Sequence, residues 1–346
     1  MSDDSRIVPS RRGFLGVASA AMAAAVAGRA SLALGRRQPN PSAAPVASSR
    51  PHAAFQARLL GPIYSNPCPF TADLKPDDAA QKRGIDRAVA AGIGVFAATA
   101  GNTKYATLSY DEIKHVNRVM VECVGGRALS IAATGDWTTE QAIDFARYAE
   151  SLRADAVQVL IPVKLREKEQ EDAAVEFFRA VGAATRLPLV LHGKFGDALL
   201  ARLVALDSVA AMKEDHALED FVRQQIDHGH RITLFGGGGE NRYYIGWPYG
   251  CQAYYATYST FAPEIAMKVW RTIQSGDIKS AAALTVKYDF PYIRQFTHPK
   301  WHGTLELFGI GTRHVREPHK ALDDAAMADL KRFFEAQGLN PDAYRA

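Results

Sequence analysis

Eight short apolar stretches, spaced evenly between residues 61 and 259, constrain the fold of this chain more than any other feature of its sequence. Each run is rich in Val, Ile, Leu and Ala, and its apolar and polar residues do not alternate strictly as they do in a strand with one solvent-exposed face. Such runs are typical of strands buried on both sides. The runs are GPIYSN (61–66), IGVFAATA (93–100), ALSIAAT (128–134), AVQVLIP (156–162), LPLVLH (187–192), VAAMK (209–213), RITLFGG (231–237) and AYYATYS (253–259).

Amphipathic segments separate these runs, and several begin with a helix-capping signature. Ser109 is followed three positions later by Glu112, and Thr138 or Thr139 precedes the next helical segment. Eight strands that alternate with helices predict an α/β fold, a closed (β/α)₈ TIM barrel over residues 58–284. A C-terminal helical extension is expected over residues 285–346. An open, doubly wound sheet is the alternative architecture.

The amino terminus has the pattern of an export signal rather than of a folded segment. SRRGFLG (10–16) pairs two arginines before Phe-Leu, and the Ala-rich segment VASAAMAAAVAG follows. This pattern predicts a twin-arginine signal peptide over residues 1–37, followed by a disordered linker over residues 38–57. The Ala-rich segment is too short for a membrane span. We therefore expect a periplasmic protein without a membrane span in its mature chain, or one held at the membrane if the signal is not cleaved.

The excess of positive charge belongs to this signal. The chain has 41 basic and 37 acidic residues, and residues 1–37 hold six Arg and two Asp, which leaves 35 of each sign. A formally neutral mature chain gives no footprint for nucleic-acid binding. The three cysteines have no CxxC spacing, and we expect all of them to be unpaired core or loop residues.

A barrel of this type places its chemistry at the carboxyl ends of its strands. Strand six ends at Lys213, and two interpretations of this lysine compete. It marks the place where the strand reaches the surface, or it is a nucleophile at the barrel mouth. Apolar surroundings disfavour an ammonium ion, and a neutral amine attacks a ketone to form a Schiff base.

The segments around this lysine resemble a known family. GPIYSNPCPF, GNTKYATLS, AAMKEDHALEDF and TYSTFAPEIAMKVWRTIQSGDIKSAAAL occur in the order and spacing of the dihydrodipicolinate synthase/N-acetylneuraminate lyase family, from Leu59 to about Leu284. The resemblance implies a class I, Schiff-base lyase in which Lys213 forms the imine. It also implies that Asn102 and Thr103 bind the carboxylate of a 2-oxo acid. No cofactor and no metal are implied, and a homo-oligomer, a dimer or a tetramer, is expected.

Two positions depart from the family pattern. The strand-five tyrosine that relays protons in the family is His192 here, and the Pro-Tyr-Tyr after strand four is Pro162-Val163-Lys164. Imidazole titrates near neutrality, so His192 either replaces the tyrosine as a catalytic group or belongs to a structural hydrogen-bond network. Lys164 either binds a second anionic group of the substrate or is a solvated charge on the rim.

Other motifs give weaker signals. The run from Gly236 to Gly239 lacks the spacing of a dinucleotide-binding loop, and we interpret Gly237 as making room for substrate at the barrel mouth. A zinc site built from His192, Glu214, Asp215 and His216 is a minor alternative, typical of a class II metal aldolase. In THPKWHG, Pro299 is expected to disrupt the helix that would align His298 with His302.

Taken together, the sequence predicts an exported lyase, aldolase or dehydratase that acts on a small-molecule 2-oxo acid or a sugar-acid-derived substrate. Lys213 and His192 are its predicted catalytic residues, and its predicted substrate-binding residues are Asn102, Thr103, Lys164 and Gly237. The alternative is an exported barrel that binds a small carboxylate ligand without turning it over.

Overall fold

A computed structural model of the protein describes residues 52–345. The signal peptide and most of the linker lie outside the described residues, so both stay predictions. Eight parallel strands close into a barrel in chain order, which confirms the predicted TIM barrel. The strands are β1 (Gly61–Ser65), β2 (Val95–Ala97), β3 (Leu129–Ala133), β4 (Ala156–Leu160), β5 (Leu189–Gly193), β6 (Val209–Glu214), β7 (Thr233–Gly236) and β8 (Ala253–Tyr255).

Helices follow the strands and cover the outside of the barrel. The capping box at Ser109 and Glu112 forms as predicted, and Thr138 rather than Thr139 caps the next helix. The helices from the amino terminus to the end of the barrel are α1 (Ala53–Arg58), α2 (Asp78–Ala91), α3 (Tyr110–Val124), α4 (Thr139–Ser151), α5 (Glu171–Ala183), α6 (Asp197–Val204), α7 (Leu218–His228), α8 (Asn241–Gly246), α9 (Tyr258–Phe261) and α10 (Pro263–Gln274).

The extension that follows forms a second hydrophobic core, rich in aromatic residues, together with α9 and the start of α10. The predicted boundary at residue 284 falls within the first helix after α10, and the division between barrel and extension stays a prediction. The helices after α10 are α11 (Ile278–Lys287), α12 (Asp289–Ile293), α13 (His298–Leu307) and α14 (Asp324–Ala336). Arg316 binds Glu112 of α3, and Arg87 of α2 donates to the Phe308 and Tyr344 carbonyls, so the extension is fixed to the barrel.

Helix α1 corrects the predicted linker. Residues 53–57 were expected to be disordered, but they form part of this helix, and Phe55 is buried in the barrel interior. Gln56 Nε2 donates to the Ala210 carbonyl at 2.8 Å and to the Arg231 carbonyl at 3.2 Å. The helix therefore forms the floor of the barrel, because burial of Phe55 and the Gln56 hydrogen bonds offset the entropy of ordering this segment.

An irregularity in β6 sets the phase of its inward-facing side chains. Leu189 of β5 is in register with Val209, whereas Val190 is in register with Ala211, so Ala210 is an extra residue in β6. Ala210 and Ala211 both belong to the inner core of the barrel. A β-bulge of this kind re-aims the side chains that follow it.

No helix among residues 52–345 is long and apolar enough to cross a membrane. Cys68, Cys123 and Cys251 are all free thiols, as expected.

Candidate active site

Strand register brings His192 and Lys213 together at the carboxyl end of the barrel. His192 near the end of β5 is the register partner of Lys213 in β6, and Leu160 of β4 lies on the other side of His192. If β6 continued from Val209 without the bulge, His192 would pair with Met212 instead. With the bulge, Met212 packs in the outer core against the helices and Lys213 pairs with His192. The bulge therefore turns Lys213 toward the barrel axis.

The lysine, the histidine and a carboxylate form one contact group. Lys213 Nζ lies 3.3 Å from His192 Nε2 and forms an ion pair with Asp215 Oδ2, which lies 3.5 Å from the same ring nitrogen. The side chains of Lys213 and His192 are only 13% and 12% exposed. Nε2 of His192 thus faces both an amine and a carboxylate in a largely buried site.

Two further residues complete the network. Gln158 Nε2 of β4 lies 3.3 Å from His192 Nδ1, and Tyr255 OH of β8 donates to Gln158 Oε1 at 3.3 Å. Lys213 Nζ lies 5.5 Å from the centre of the Tyr255 ring. The sequence prediction missed both residues, although a lone glutamine in the buried run AVQVLIP is a signal that could have identified Gln158.

Burial and hydrogen bonds shift the pKa values of these groups in different directions. Burial lowers the pKa of His192, and the hydrogen bond with Asp215 opposes this shift only in part. Burial raises the pKa of Asp215, but the His192 hydrogen bond and the Lys213 charge outweigh it and hold that pKa below its usual range. Burial raises the pKa of Tyr255 well above its ordinary value. At neutral pH the imidazole is therefore neutral, the carboxyl ionised and the phenol protonated.

Gly237 lies beside Asp215 at the end of β7. Its N–H donates to the Glu214 carbonyl at 2.9 Å, and a Cβ atom at this position would overlap Oδ1 of Asp215. The structure thus places Gly237 at the barrel mouth, where the absence of a side chain leaves room for the Asp215 carboxylate.

A buried ion pair holds the end of β6. Glu214 is fully buried, and its Oε2 accepts from Arg242 Nη1 at 2.8 Å. Its Oε1 accepts from the backbone N–H of His216 at 2.7 Å and contacts His216 Nδ1, while the Phe195 N–H donates to His216 Nε2 at 3.0 Å. These contacts fix the loop in which Asp215 lies, and they commit Glu214 and His216 to structural roles.

The β2 loop contributes Asn102 to the mouth. Asn102 Nδ2 donates to Ser65 Oγ at the end of β1, at 2.8 Å. The hydroxyl of Thr103 is fully buried, accepts from the Thr99 N–H and donates to the Asn66 carbonyl at 2.7 Å. In this arrangement Asn102 is half-buried and can reach a ligand, whereas the Thr103 hydroxyl is used within the loop itself.

Lys164 is not part of this contact group. It is exposed in a single 3₁₀ turn after β4. Among residues 52–345, no group of three His, Cys, Asp or Glu side chains is placed to hold a metal ion. The four residues considered from the sequence as a zinc site instead form hydrogen bonds with Lys213, Arg242 and the backbone. They are His192, Glu214, Asp215 and His216.

An amine that can attack a carbonyl carbon, next to groups that accept and return protons, is the chemistry of a class I lyase. Comparison with known proteins assigns the chain to such a class: residues 59–337 match the model of the Dihydrodipicolinate synthetase family. The chain belongs to this family, and it is a Schiff-base lyase of that type. The match continues past Leu284, the limit seen from the sequence segments, into the extension.

Individual relatives cover most of the chain. The 4-hydroxy-tetrahydrodipicolinate synthase of Hyphomonas neptunium is 27% identical over 76% of this chain and 94% of its own length. A DapA-like lyase of Halobacterium salinarum is 28% identical over 69% of this chain and 81% of its own. Neither relative supports the alternative of a barrel that binds its ligand without turnover.

Solved structures show the same fold. Dihydrodipicolinate synthase from Bacillus clausii superposes with a TM-score of 0.73 at 22% identity, covering 82% of this chain and 100% of that structure. The chloride-inhibited synthase of Acinetobacter baumannii, solved with pyruvate, gives a TM-score of 0.72 at 19% identity, covering 81% of this chain and 99% of that structure.

Proposed function

We propose that the protein cleaves or forms a bond next to the carbonyl group of a 2-oxo acid through an imine on Lys213. The observation that carries this proposal is the contact group itself: an inward-facing lysine amine within 3.3 Å of an imidazole nitrogen, with one carboxylate against both. Its place at the carboxyl end of a TM barrel is where such enzymes hold their reacting groups.

The first step needs a neutral amine. We propose that His192 Nε2 takes a proton from the Lys213 ammonium group, since the pKa of this imidazole is lowered by burial and it is neutral at pH 7. The amine then attacks the carbonyl carbon, a C–N bond forms, and the oxygen takes a proton from nitrogen. The His192 imidazolium returns its proton to this hydroxyl, the C–O bond breaks, and water leaves an iminium ion.

Asp215 stabilises each charged state in this reaction. One positive charge is present throughout, first on Lys213, then on His192 and finally on the iminium nitrogen, and Asp215 Oδ2 faces both Nζ and Nε2. In a site of low dielectric constant, a fixed carboxylate stabilises each of these cations without reorganising. We therefore propose Asp215 as the residue that balances charge during proton transfer.

We propose that Asn102 binds the carboxylate of the substrate. Its side-chain amide is directed toward Ser65 at the end of β1, and amide and hydroxyl groups donate to an oxyanion. Gln158 on the neighbouring strand β4 would orient His192 directly, and Tyr255 would do so through Gln158.

Borohydride trapping tests this proposal. The purified protein is incubated with pyruvate or a longer 2-oxo acid, reduced, and examined by intact mass and peptide mapping. We expect one covalent adduct on Lys213, absent in Lys213→Ala and present in Lys194→Ala, a matched variant of a lysine close to the barrel mouth. If no 2-oxo acid gives an adduct while binding survives Lys213→Ala, the proposal fails.

We also propose export to the periplasm by the twin-arginine route and assembly into a dimer or tetramer. The supporting feature for export is the SRRGFLG segment, which lies outside the described residues. Fractionation of cells that express the full chain or Arg11→Lys/Arg12→Lys tests it, since the double variant should remain in the cytoplasm. Light scattering after size-exclusion chromatography measures the assembly state, and a monomeric result would contradict the second part.

A further inference from the structure

A second group of nitrogen-bearing side chains lies where the β2 loop meets the extension. We call it the histidine cluster: Lys104 from the loop, and His298, His302 and His319 from the extension. The ring centres of His298 and His302 are 5.1 Å apart, and those of His298 and His319 are 4.1 Å apart. Pro299 was expected to break the helix, but it occupies the first turn of α13, where proline is tolerated, and both histidines share that helix.

The buried members of this cluster lack hydrogen-bond partners. His302 is fully buried with both ring nitrogens unpaired, and Nε2 of the buried His298 is also unpaired. The Thr312 backbone lies close enough to His302 to favour its protonated form, but neither ring nitrogen has a partner in hydrogen-bond geometry. Buried polar atoms are rarely left without a partner, so these three nitrogens point to a group that the protein itself does not supply.

The charges around the cluster are positive. Burial, together with the charges of Lys104 and His319, lowers the pKa of His298 and of His302 to about 3. The Phe70 ring stacks on His302, and the Arg316 guanidinium also lies over the Phe70 ring. Arg316 forms an ion pair with Glu112, which also accepts a hydrogen bond in the capping box at Ser109. The surroundings therefore offer donors and cations, and the nearby carboxylate is already paired.

Lys104 adopts a backbone conformation that lysine rarely takes. Its φ is +64°, in the left-handed region that favours glycine. Its Nζ lies 5.7 Å from the centre of the Phe296 ring, and burial lowers its pKa. Strained backbone at a non-glycine residue is often kept for function, and here it holds an amine at the edge of the unpaired histidines.

We propose that the histidine cluster binds a small oxyanion, a carboxylate or a phosphate. Lys104 and His319 are half-buried and border the cluster, His298 and His302 supply inner donors, and α13 adds the partial positive charge of its amino terminus. Lys104 follows Asn102 and Thr103 in the same loop, so the site adjoins the proposed carboxylate-binding loop. The oxyanion is either a free anion or a second anionic group of the substrate.

Binding of an oxyanion is expected to draw protons onto the imidazoles, since an adjacent negative charge stabilises their charged form. The facing ionisable groups are Lys104, His319 and the two histidines themselves, with the Arg316–Glu112 pair behind Phe70. Because the pKa values of both histidines are about 3 in the free protein, affinity should rise as the pH is lowered from 7 toward 4, by up to about tenfold per pH unit for each proton taken up.

Calorimetry and thermal unfolding of the whole protein test the proposal, with inorganic phosphate, sulfate and acetate compared with sodium chloride at equal ionic strength. We expect the anions to raise Tm. The anion affinity measured by calorimetry should fall at least tenfold in Lys104→Gly and in His302→Phe. Glycine suits the left-handed backbone and phenylalanine can still stack on Phe70, so both variants should fold at least as stably as the parent. Lys320→Ala, a neighbouring exposed lysine, is the matched control.

A second arm separates the two sources of the anion. Borohydride trapping is compared for pyruvate and for 2-oxo acids with a second carboxylate. If the cluster binds substrate, Lys104→Gly raises the half-saturating concentration of the dicarboxylic acids alone; if it binds a free anion, both substrate types respond alike. Calorimetry does not depend on imine formation, so the cluster is tested even if Lys213 forms no adduct. The proposal is overturned if no anion exceeds sodium chloride, or if both variants retain the full response.

Discussion

Asp215 is the residue on which the proposed chemistry depends most, because its carboxylate faces both nitrogen atoms that carry the moving positive charge. Sequence reasoning treated it only as one member of a weak metal-site alternative. Its position became evident from the contacts of Lys213 and His192, which no spacing in the sequence reveals.

Replacing Asp215 with Asn should slow imine formation by about 100-fold, at the lower end of the range for acid–base groups. The hydrogen bond with Asp215 raises the pKa of His192, so its loss should lower that pKa further. The acid limb of the trapping rate, measured from pH 4 to pH 8, should then move to lower pH. A uniform loss of rate without this movement would indicate a structural role.

Gly237 offers a steric counterpart to that variant. In Gly237→Ala the new Cβ atom would displace the Asp215 carboxylate, so trapping should slow to a similar extent. Because both changes act on one carboxylate, the double variant Asp215→Asn/Gly237→Ala should be little slower than either single variant. Additive losses, measured by the same trapping assay, would show that Gly237 acts elsewhere.

At the scale of elements, the apolar runs located all eight strands, and each observed strand begins within two residues of its run. The pattern succeeded because parallel strands buried on both sides leave an apolar run in the sequence. It could not reveal the bulge at Ala210, since alanine fits either face. That single residue decides whether Lys213 or Met212 pairs with His192, so the geometry of the site was not predictable from the pattern.

The ion pair between Glu214 and Arg242 ties the end of β6 to α8. Arg242→Leu should lower the free energy of unfolding by about 3 kcal/mol, because it leaves a buried carboxylate without its cation. Urea unfolding measures this change. Arg223→Leu is the control: Arg223 forms exposed ion pairs with Asp197 and Asp220, which water and salt screen, so the loss should be much smaller. Equal losses would contradict the role given to the buried pair.

At the scale of the whole molecule, two buried carboxyls join the barrel to its extension. The Glu240 N–H, after β7, donates to Asp289 Oδ2 of α12 at 3.1 Å, and both Glu240 oxygens are unpaired. Burial raises the pKa of Asp289 to about 6, and burial together with the Asp289 charge raises that of Glu240 well above its ordinary value.

This pair makes stability depend on pH. The folded protein holds these protons more tightly than the unfolded chain, so the contribution is complete below about pH 4 and is lost as the pH rises through 6. Glu240→Gln should therefore raise Tm relative to the parent by an amount that grows from pH 5 to pH 8. Thermal unfolding across this range measures it, with the exposed Glu219→Gln as control. A difference that stays constant with pH would contradict the assignment.

The family and the barrel followed from sequence segments, whereas the packing of the extension did not. Residues beyond Leu284 carry no strand pattern, and their contacts depend on aromatic side chains that meet only in three dimensions, such as Phe261 with Phe334. In the histidine cluster, the sequence drew attention to His298 and His302 but wrongly predicted that Pro299 would misalign them, and it gave no sign that Lys104 and His319 lie beside them.

Helix α1 lies before residue 59, where the family match begins, yet Gln56 donates to the carbonyl of Ala210, the extra residue of the β6 bulge. This hydrogen bond connects the helix that precedes the family match to the strand that carries Lys213 at the opposite end of the barrel. A truncated chain that began at β1 would lose this hydrogen bond and the buried Phe55 side chain. The segment before the family match therefore contributes to the frame that holds the catalytic lysine, although it contains no residue of the contact group.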